Sequence, residues 1–322
     1  MSIRTITAER AGGPEQLQPV ESPEPKPETG ELLVETAFTG VNFIETYQRS
    51  GVYSVQYPFT PGSEASGTVI SVGEGVTDFS PGDRVATCEG RATYAERFVV
   101  PAVAAAHVPD GVALDVAAAL PLQGITAHYL ATSASRPREG DTVIVHAGAG
   151  GVGLLLTQLL TQRGVRVLTT VSTPEKRELS LAAGAAEVLS YETFADRARE
   201  LTDGAGVTVV YDGVGKRTFD DSLRALRVRG EMVLFGGASG QVPLFDLQRL
   251  NTGGSLSITR PSIGHFLLTP EERGWRYASL FDEVLAGELD VRIGARYPLA
   301  EASAAHRALE NRETTGKVIL EA

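Results

Sequence analysis

Three glycines spaced as G-x-G-x-x-G, at Gly148, Gly150 and Gly153, form the pattern in this sequence that points most directly to chemistry. In such a loop the first glycine makes a tight turn and the second lets the backbone approach a pyrophosphate, while the third lets a helix pack close to a strand. A helix that begins there also directs free N–H groups and a positive dipole toward the phosphates. The same spacing occurs in ordinary glycine-rich turns, so the interpretation depends on the neighbouring elements.

The elements on either side of this loop complete a βαβ unit. Strand-favouring residues at 142–145 lead into the loop, and an apolar helical pattern follows it at 152–163. Gly164 stands where a left-handed C-cap is expected, and a second buried-strand run occupies 165–171. A G-x-G-x-x-G placed between a strand and a helix, in a unit of about 30 residues, indicates a dinucleotide-binding site.

The end of the second strand bears on which dinucleotide is bound. A fold that binds NAD usually carries Asp or Glu there, about 20 residues after the glycines, to bind the ribose 2′-hydroxyl. This strand ends in Val171-Ser172-Thr173 without an acid, and Lys176 and Arg177 follow. Because a carboxylate would repel a 2′-phosphate whereas a hydroxyl and an ammonium bind it, the sequence predicts NADPH rather than NADH. Alternatively the two cations form a solvated helix face, and for Arg177 that interpretation is favoured.

Length and composition set limits on the class of protein. At 322 residues the chain exceeds the roughly 250 to 300 residues at which one core usually splits, so two domains are expected. A net charge of −11 argues against nucleic acid and anionic membranes as partners. One cysteine, Cys88, excludes an internal disulfide framework and a multi-cysteine metal site. The sequence shows neither an apolar leader nor an 18-residue apolar run, which predicts a cytoplasmic protein.

The patterning differs between the two parts of the chain. Residues 1 to about 120 are rich in short strand runs bounded by glycine and proline, and the four prolines of 19–30 predict an extended surface loop. From 123 onward, strands and helices alternate, with a sixth strand at 255–259, which predicts a doubly wound parallel sheet. Beyond Arg260 the pattern changes, and that tail either forms a third unit or returns to the first domain.

Short motifs in a specific order cover nearly the whole chain. They lie at 12–15, 41–47, 49–53, 61–64, 124–126, 149–153, 259–262 and 316–317. With these motifs in this order, the chain resembles the zinc-independent quinone oxidoreductases, which are the zeta-crystallin-like branch of the medium-chain dehydrogenase/reductase superfamily. The resemblance implies an α/β protein with a GroES-like, β-rich catalytic domain made of 1–122 and 263–322. It also implies a Rossmann NADPH-binding domain at 123–262 and a homodimer through the Rossmann sheets.

The resemblance also places the metal positions of the superfamily's zinc members. They fall at Asn42, Ser63 and Leu122, and none of these residues offers a thiolate or an imidazole. Tetrahedral Zn²⁺ needs Cys, His or carboxylate donors, so no metal site is predicted. Cys88 is interpreted as a small buried apolar residue, and His146, at the end of the strand before the glycine loop, as structural.

Loss of the metal removes a Lewis acid, and the resemblance implies an NADPH-dependent quinone reductase that uses electron or hydride transfer from the nicotinamide. By resemblance, Asn42 and Tyr47 border the nicotinamide and the substrate, and Tyr53 stands where related enoyl reductases place a proton donor. The alternative for both tyrosines is a packing role.

Two other functions stay open from the sequence. One is an enoyl or 2-alkenal reductase of the same fold, which differs in the shape of the substrate site. The other is a non-catalytic NADPH-binding protein with a structural or RNA-binding role, against which the charge of −11 counts.

The remaining cofactor contacts are likewise implied by the resemblance. The residues expected at the pyrophosphate are Ala149, Gly150, Gly151 and Val152, and those expected at the 2′-phosphate are Ser172, Lys176 and Tyr191. The residues expected at the end of a parallel strand are Phe235, Gly236 and Gly237, and those expected near the nicotinamide carboxamide are Thr259, Arg260 and Pro261. Thr126 is a further expected contact with the cofactor.

Overall fold

Both ends of the chain fold into one unit of the computed structural model, which describes residues 1–322. This first unit contains Met1–Gln123 and Thr269–Ala322, and the second unit contains Gly124–Leu268. Residues 263–268, which the sequence assigned to the catalytic domain, thus belong to the second unit. The reason is local packing, since the ring of Phe266 stacks on Tyr129 with centroids 4.3 Å apart and Leu267 is buried.

The N-terminal part of the chain supplies seven strands and three helices. They are β1 (Ser2–Ala8), β2 (Leu17–Pro23), β3 (Glu31–Val41), α1 (Phe43–Ser50), β4 (Ala65–Val72), β5 (Arg84–Thr87), β6 (Arg97–Pro101), β7 (Ala106–His107), α2 (Leu114–Ala119) and α3 (Pro121–Tyr129).

The middle of the chain alternates strands with helices. Its elements are β8 (Thr142–Val145), α4 (Gly151–Gln162), β9 (Arg166–Thr170), α5 (Pro174–Ala182), β10 (Glu187–Leu189), α6 (Phe194–Glu200), β11 (Val207–Asp212), α7 (Phe219–Ala225), β12 (Leu226–Leu234), α8 (Gln248–Thr252) and β13 (Ser257–Thr259). The C-terminal part adds α9 (Pro270–Leu285), β14 (Ile293–Pro298), α10 (Ala302–Glu310) and β15 (Lys317–Glu321).

The first unit is built on a seven-stranded sheet in the order β14-β15-β3-β4-β5-β7, with β6 also paired to β3. The C-terminal strand β15 lies antiparallel to β3, where Val318 is opposite Val41. Alternate β3 residues such as Leu32 and Val34 enter a core shared with β4, β5 and β6. The register between β15 and β3 therefore brings Lys317, at the start of β15, close to the start of α1.

The proline-rich segment 19–30 is only partly the surface loop that the sequence predicted. Its first residues belong to β2, which pairs with β1 as a separate two-stranded sheet. A strand with a single neighbour is an edge strand, and edge strands tolerate proline because half of their backbone groups have no ladder partner. Pro19 therefore lies within β2, opposite Ile6.

The second unit is a six-stranded parallel sheet in the order β10-β9-β8-β11-β12-β13. Its core includes Ile144, Leu168, Val210 and Met232, which are buried in four adjacent strands. This is the doubly wound sheet that the alternating pattern predicted, and with the β-rich first unit it confirms the predicted fold class. None of the ten helices combines the length and the apolar character that crossing a bilayer requires.

Candidate active site

The glycine loop joins β8 to α4, and two of its glycines are required by close packing. A Cβ at Gly153 would lie 2.3 Å from the carbonyl oxygen of Ala147, and a Cβ at Gly148 would lie 2.6 Å from Thr169 Cβ. The left-handed residue of the turn is Ala147, with φ at 53°, and not a glycine. Gly148 is therefore needed for clearance against β9 rather than for its backbone angle, which refines the role that the sequence assigned to it.

The N-terminus of α4 has the features of an anion site. Its N-cap, Gly150, has extended backbone and brings no capping side chain. The first N–H groups of a helix have no intrahelical acceptor, and here no side chain replaces one. Gly150, Gly151 and Val152 are half-buried and Ala149 is buried. The loop thus fits the pyrophosphate of a dinucleotide, with space that a Cβ would fill and donors that a phosphate satisfies.

The sheet order places this loop at a topological switch point. The chain runs from β8 through β9 to β10 on one side and then returns to β11 on the other side of β8. In open parallel sheets, ligands bind at such a point, beyond the carboxyl ends of the strands. Because β12 and β13 are parallel to β11, the segments Phe235–Gly237 and Arg260–Pro261 follow strands that end at the same edge. Thr126 is instead a buried residue of α3.

A buried polar network lies at the ends of three strands around the loop. His146 Nδ1 is 2.8 Å from Thr170 Oγ1, and its Nε2 is 3.0 Å from Ser222 Oγ. Ser222 Oγ donates to Asp212 Oδ2 at 3.1 Å, so it accepts from His146 Nε2–H. Burial lowers the pKa of His146, with the Asp212 carboxylate opposing, and a neutral imidazole fits this arrangement. The network connects the ends of β8, β9 and β11, as the predicted structural role of His146 requires.

The residues expected around a 2′-phosphate lie near the end of β9. Ser172 is exposed and Lys176 is half-buried in the first turn of α5, where its backbone N donates to Thr173 Oγ1 at 3.3 Å. Tyr191 Oη accepts from Ala147 N at 3.2 Å, which places this tyrosine against the glycine loop. Arg177 donates to the carbonyl of Val188 at 2.7 Å, so its guanidinium supports β10 rather than forming only a solvated face.

Arg217 is a candidate that the sequence analysis did not include. Its guanidinium lies 5.3 Å from the ring centroid of Tyr191 and donates to Glu192 Oε1 at 3.1 Å. The sequence signal is the basic pair Lys216-Arg217 in the turn after β11. Only the tertiary structure places this cation beside Tyr191 and hence close to the glycine loop.

The predicted catalytic residues Asn42, Tyr47 and Tyr53 all lie in the first unit, at α1 and just after it. Asn42 is the buried N-cap of α1. The rings of Tyr47 and Tyr53 meet edge to face with centroids 5.4 Å apart, and Tyr53 N donates to the carbonyl of Tyr47 at 3.0 Å. Tyr53 is 38% exposed, so its hydroxyl is not confined to a packed core.

A buried ion pair between Lys317 and Glu64 contacts two of the three positions that correspond to the superfamily's zinc ligands, Asn42 and Leu122. The Lys317 ammonium contacts Glu64 and donates to Asn42 Oδ1 at 2.6 Å, and Leu122 N donates to Glu64 Oε1 at 2.7 Å. No group of three or more His, Cys, Asp or Glu residues could hold a metal ion. The residues present therefore do not fit zinc. Glu64 and Lys317 lie within motifs that carried the resemblance, but no role was predicted for either of them.

Cys88 is buried, as the sequence predicted. Its thiol accepts from Tyr277 Oη at 3.7 Å, and burial raises the pKa of Cys88 to about 12. A thiol with such a pKa is not a nucleophile at neutral pH.

Comparisons with known proteins cover nearly the whole chain. The family described as "Alcohol dehydrogenase GroES-like domain" matches residues 28–110, and the family described as "Zinc-binding dehydrogenase" matches residues 151–273. A quinone oxidoreductase of Pseudomonas aeruginosa is 42% identical over 313 residues, which are 96% of each chain. A mycobacterial protein solved in complex with NADPH is 52% identical, with a TM-score of 0.97 over 99% of this chain and 100% of that one. The Escherichia coli quinone oxidoreductase complexed with NADPH is 38% identical, with the same TM-score and coverage.

Proposed function

This chain belongs to the quinone oxidoreductases of the medium-chain dehydrogenase/reductase superfamily, and we propose that it is an NADPH-dependent quinone oxidoreductase that works without zinc. The observation that carries the proposal is the glycine loop at the switch point of a sheet whose fold matches the NADPH-complexed quinone oxidoreductase of Escherichia coli. The absence of a fitting donor set for zinc agrees with an acceptor that needs little polarisation.

Each group of residues has a distinct part in this proposal. The backbone N–H groups at the start of α4 bind the pyrophosphate, and Lys176 with Arg217 provides positive charge for the 2′-phosphate. Bound NADPH supplies the reducing equivalents. From the family resemblance, Asn42 and Tyr47 orient the reactants. Tyr53 donates a hydrogen bond or a proton to the oxygen of the acceptor as negative charge develops there.

A panel of acceptors tests the proposed function. NADPH consumption is followed by the absorbance of the reduced nicotinamide, with substituted quinones and with α,β-unsaturated aldehydes and ketones. We expect consumption with quinones. Consumption with the unsaturated carbonyls alone would assign the enoyl reductase alternative. Binding of NADPH without consumption by either class would assign the non-catalytic alternative.

We also propose a homodimer, supported by the edge of the second unit's sheet. The strand β13 is terminal in that sheet, so one side of it has no ladder partner. Leu244 and Leu247, in the segment before α8, are exposed to 106% and 70% of their reference areas. An unpaired edge strand and exposed leucines in the same unit are typical of a surface that another chain covers.

A cytoplasmic location is part of the same proposal. The chain has one cysteine, which is free and buried, and it therefore depends on no disulfide. Such cysteine usage agrees with a reducing compartment, where NADPH is also available. Subcellular fractionation with an antibody to the protein tests this location.

A further inference from the structure

The first unit contains a buried ion pair with no assigned role. Lys317 and Glu64 are both 0% exposed, and the Lys317 ammonium donates to Glu64 Oε2. Burying two charges carries a desolvation penalty that the attraction between them does not always offset. A Cβ at Gly40 would lie 2.3 Å from Glu64 Oε2 and 2.8 Å from Lys317 Cε, so the glycine in β3 provides the space that the pair occupies.

The pair holds both ends of the Asn42 side-chain amide. Asn42 Oδ1 accepts from the Lys317 ammonium at 2.6 Å, and Asn42 Nδ2 donates to Glu64 Oε2 at 2.8 Å. An ammonium can only donate and an ionised carboxylate can only accept. A flipped amide would therefore turn its oxygen to the carboxylate and its NH₂ group to the ammonium. The ion pair allows one orientation of Asn42.

Two backbone contacts fix the position of this arrangement. The second carboxylate oxygen of Glu64 accepts from Leu122 N at 2.7 Å, and Asn42 N donates to Glu45 Oε2 at 2.7 Å. The cluster thus connects the start of α1, the residue before β4, the start of α3 and the start of β15. Glu64 uses one of the two Nδ2 hydrogens of Asn42, so an amide held in this orientation still has a second hydrogen to donate.

We propose that Lys317 and Glu64 are positioning residues that set the orientation of the Asn42 amide for the reaction. This inference rests on the proposed function, in which Asn42 borders the reactants. Since the pair is neutral as a whole, it presents an oriented amide dipole without adding a net charge. An amide held in this way donates to the same point in every catalytic cycle and loses no reorganisation energy.

The test replaces both charges together, because removing one partner would leave the other buried and unpaired. The double variant Lys317→Met/Glu64→Gln removes the ion pair with residues of similar size. We expect a thermal midpoint close to that of the wild type and only a small change in the Kd for NADPH from fluorescence titration, since the phosphates of the dinucleotide are bound by the second unit in the proposed function. We expect kcat for quinone reduction to fall by about tenfold or more, because small errors in position reduce rates strongly.

A double-mutant cycle shows whether the pair acts through Asn42. If it does, adding Lys317→Met/Glu64→Gln to Asn42→Ala causes no further loss of kcat beyond that of Asn42→Ala. The matched control is Arg276→Met/Glu272→Gln, which neutralises an ion pair with a buried arginine on α9 of the same unit and should leave kcat unchanged. Wild-type kcat in the folded Lys317→Met/Glu64→Gln variant, or losses that multiply in the Asn42→Ala background, would overturn the proposal.

A second variant covers the case in which the double replacement does not fold. Glu64→Asp keeps both buried charges but shortens the side chain by one methylene group, which withdraws the carboxylate from Asn42 Nδ2. We expect a several-fold lower kcat from it, and an unchanged kcat would overturn the proposal. Failure of the proposed function is distinct, because the wild-type protein would then not reduce quinones at all.

Discussion

At the scale of single residues, we propose that a few side chains select NADPH over NADH. The strand β9 ends without the acid that would recognise a ribose 2′-hydroxyl, and Lys176 lies in the next helical turn. Arg217 adds a second cation beside Tyr191. Charge-assisted hydrogen bonds to a phosphate are about twice as strong as neutral ones, so the loss of one cation should be measurable as a change in cofactor preference.

Lys176→Ala should raise the KM for NADPH by about tenfold and leave the KM for NADH nearly unchanged, since only NADPH carries the 2′-phosphate. The measurement is steady-state kinetics with both cofactors and one quinone. The matched control is Arg177→Ala, the neighbouring cation whose guanidinium donates to the Val188 carbonyl. Equal effects on both cofactors, or a wild-type preference for NADH, would contradict the assignment.

Tyr53→Phe should lower kcat for quinone reduction by about tenfold or more and leave NADPH affinity unchanged, because it removes only the proposed donor to the acceptor oxygen. Tyr57→Phe is the control, since the Tyr57 hydroxyl donates to the carbonyl of Gln48 and should affect stability rather than rate. Stopped-flow oxidation of NADPH separates this step from product release. An unchanged kcat with quinones and with enones would contradict the proposed role of Tyr53 as the donor.

Glu45 should make the stability of the fold depend on pH. Burial raises the pKa of Glu45 to about 8 from its ordinary 4.5, with Lys317 opposing and Glu64 adding to the shift. Its Oε1 is buried without a hydrogen-bond partner, as suits an un-ionised carboxyl. Between these two pKa values the folded protein holds a proton that the unfolded chain has lost. Stability from this group is therefore complete below pH 4.5 and is lost as the pH rises through 8.

Glu45→Gln is neutral at every pH and should lack this loss. Relative to the variant, the wild type should lose on the order of a few kcal/mol of unfolding free energy between about pH 5 and pH 8. Urea unfolding at three pH values in that interval measures the difference. Parallel stability profiles for the two proteins would show that Glu45 is ionised in the folded state.

At the scale of elements, the junction of β8 and α4 depends on distances of a few ångströms. The helix packs on the loop only because residue 153 has no side chain, whereas residue 150 has more space, its Cβ position lying 3.2 Å from the Ala147 oxygen. We therefore propose that the two glycines have different roles, Gly153 in packing and Gly150 in the approach of a phosphate. Replacing each glycine by alanine should distinguish an effect on stability from an effect on NADPH binding.

Gly153→Ala should cost about 1 to 3 kcal/mol of stability and also weaken NADPH binding, because the added methyl group displaces α4 from the loop. Gly150→Ala is the matched variant and should weaken NADPH binding with little loss of stability. Chemical unfolding and fluorescence titration with NADPH measure the two effects. If both variants lost stability equally, the separate roles of the two glycines would be wrong.

At the scale of the whole molecule, the edge strand β13 and the exposed side chains of Leu244 and Leu247 are the basis for the proposed homodimer. Leu244→Asp/Leu247→Asp should convert the proposed dimer to a monomer, since two carboxylates would be buried without partners in the interface. Light scattering coupled to size exclusion measures the mass. Val103→Asp, at an exposed position of the first unit, is the control and should not change it. If the wild-type protein were a monomer in solution, the proposed homodimer would be wrong.

Local patterns in the sequence were sufficient for the fold class and the dinucleotide loop. Strand periodicity, the glycine spacing and the cap at Gly164 each act within a few residues, so they can be recognised without knowing the packing. Gly164 has the left-handed backbone that the C-cap requires, with φ at 71°. The six alternating strands of the second unit gave the doubly wound sheet for the same reason.

The tertiary structure alone decided which distant side chains share an environment. Lys317 contacts Asn42, which is 275 positions away in the chain, and Glu64, which is 253 positions away. Arg217 contacts Tyr191 because the turn between β11 and α7 lies at the carboxyl edge of the parallel sheet. No local pattern encodes these contacts. Those of Lys317 result from the register of β15 on β3, and that of Arg217 results from the order of strands in the parallel sheet. The sequence by itself therefore determined the glycine loop and the dinucleotide that we propose it binds. The packing of its two chain ends determined the buried pair that holds Asn42.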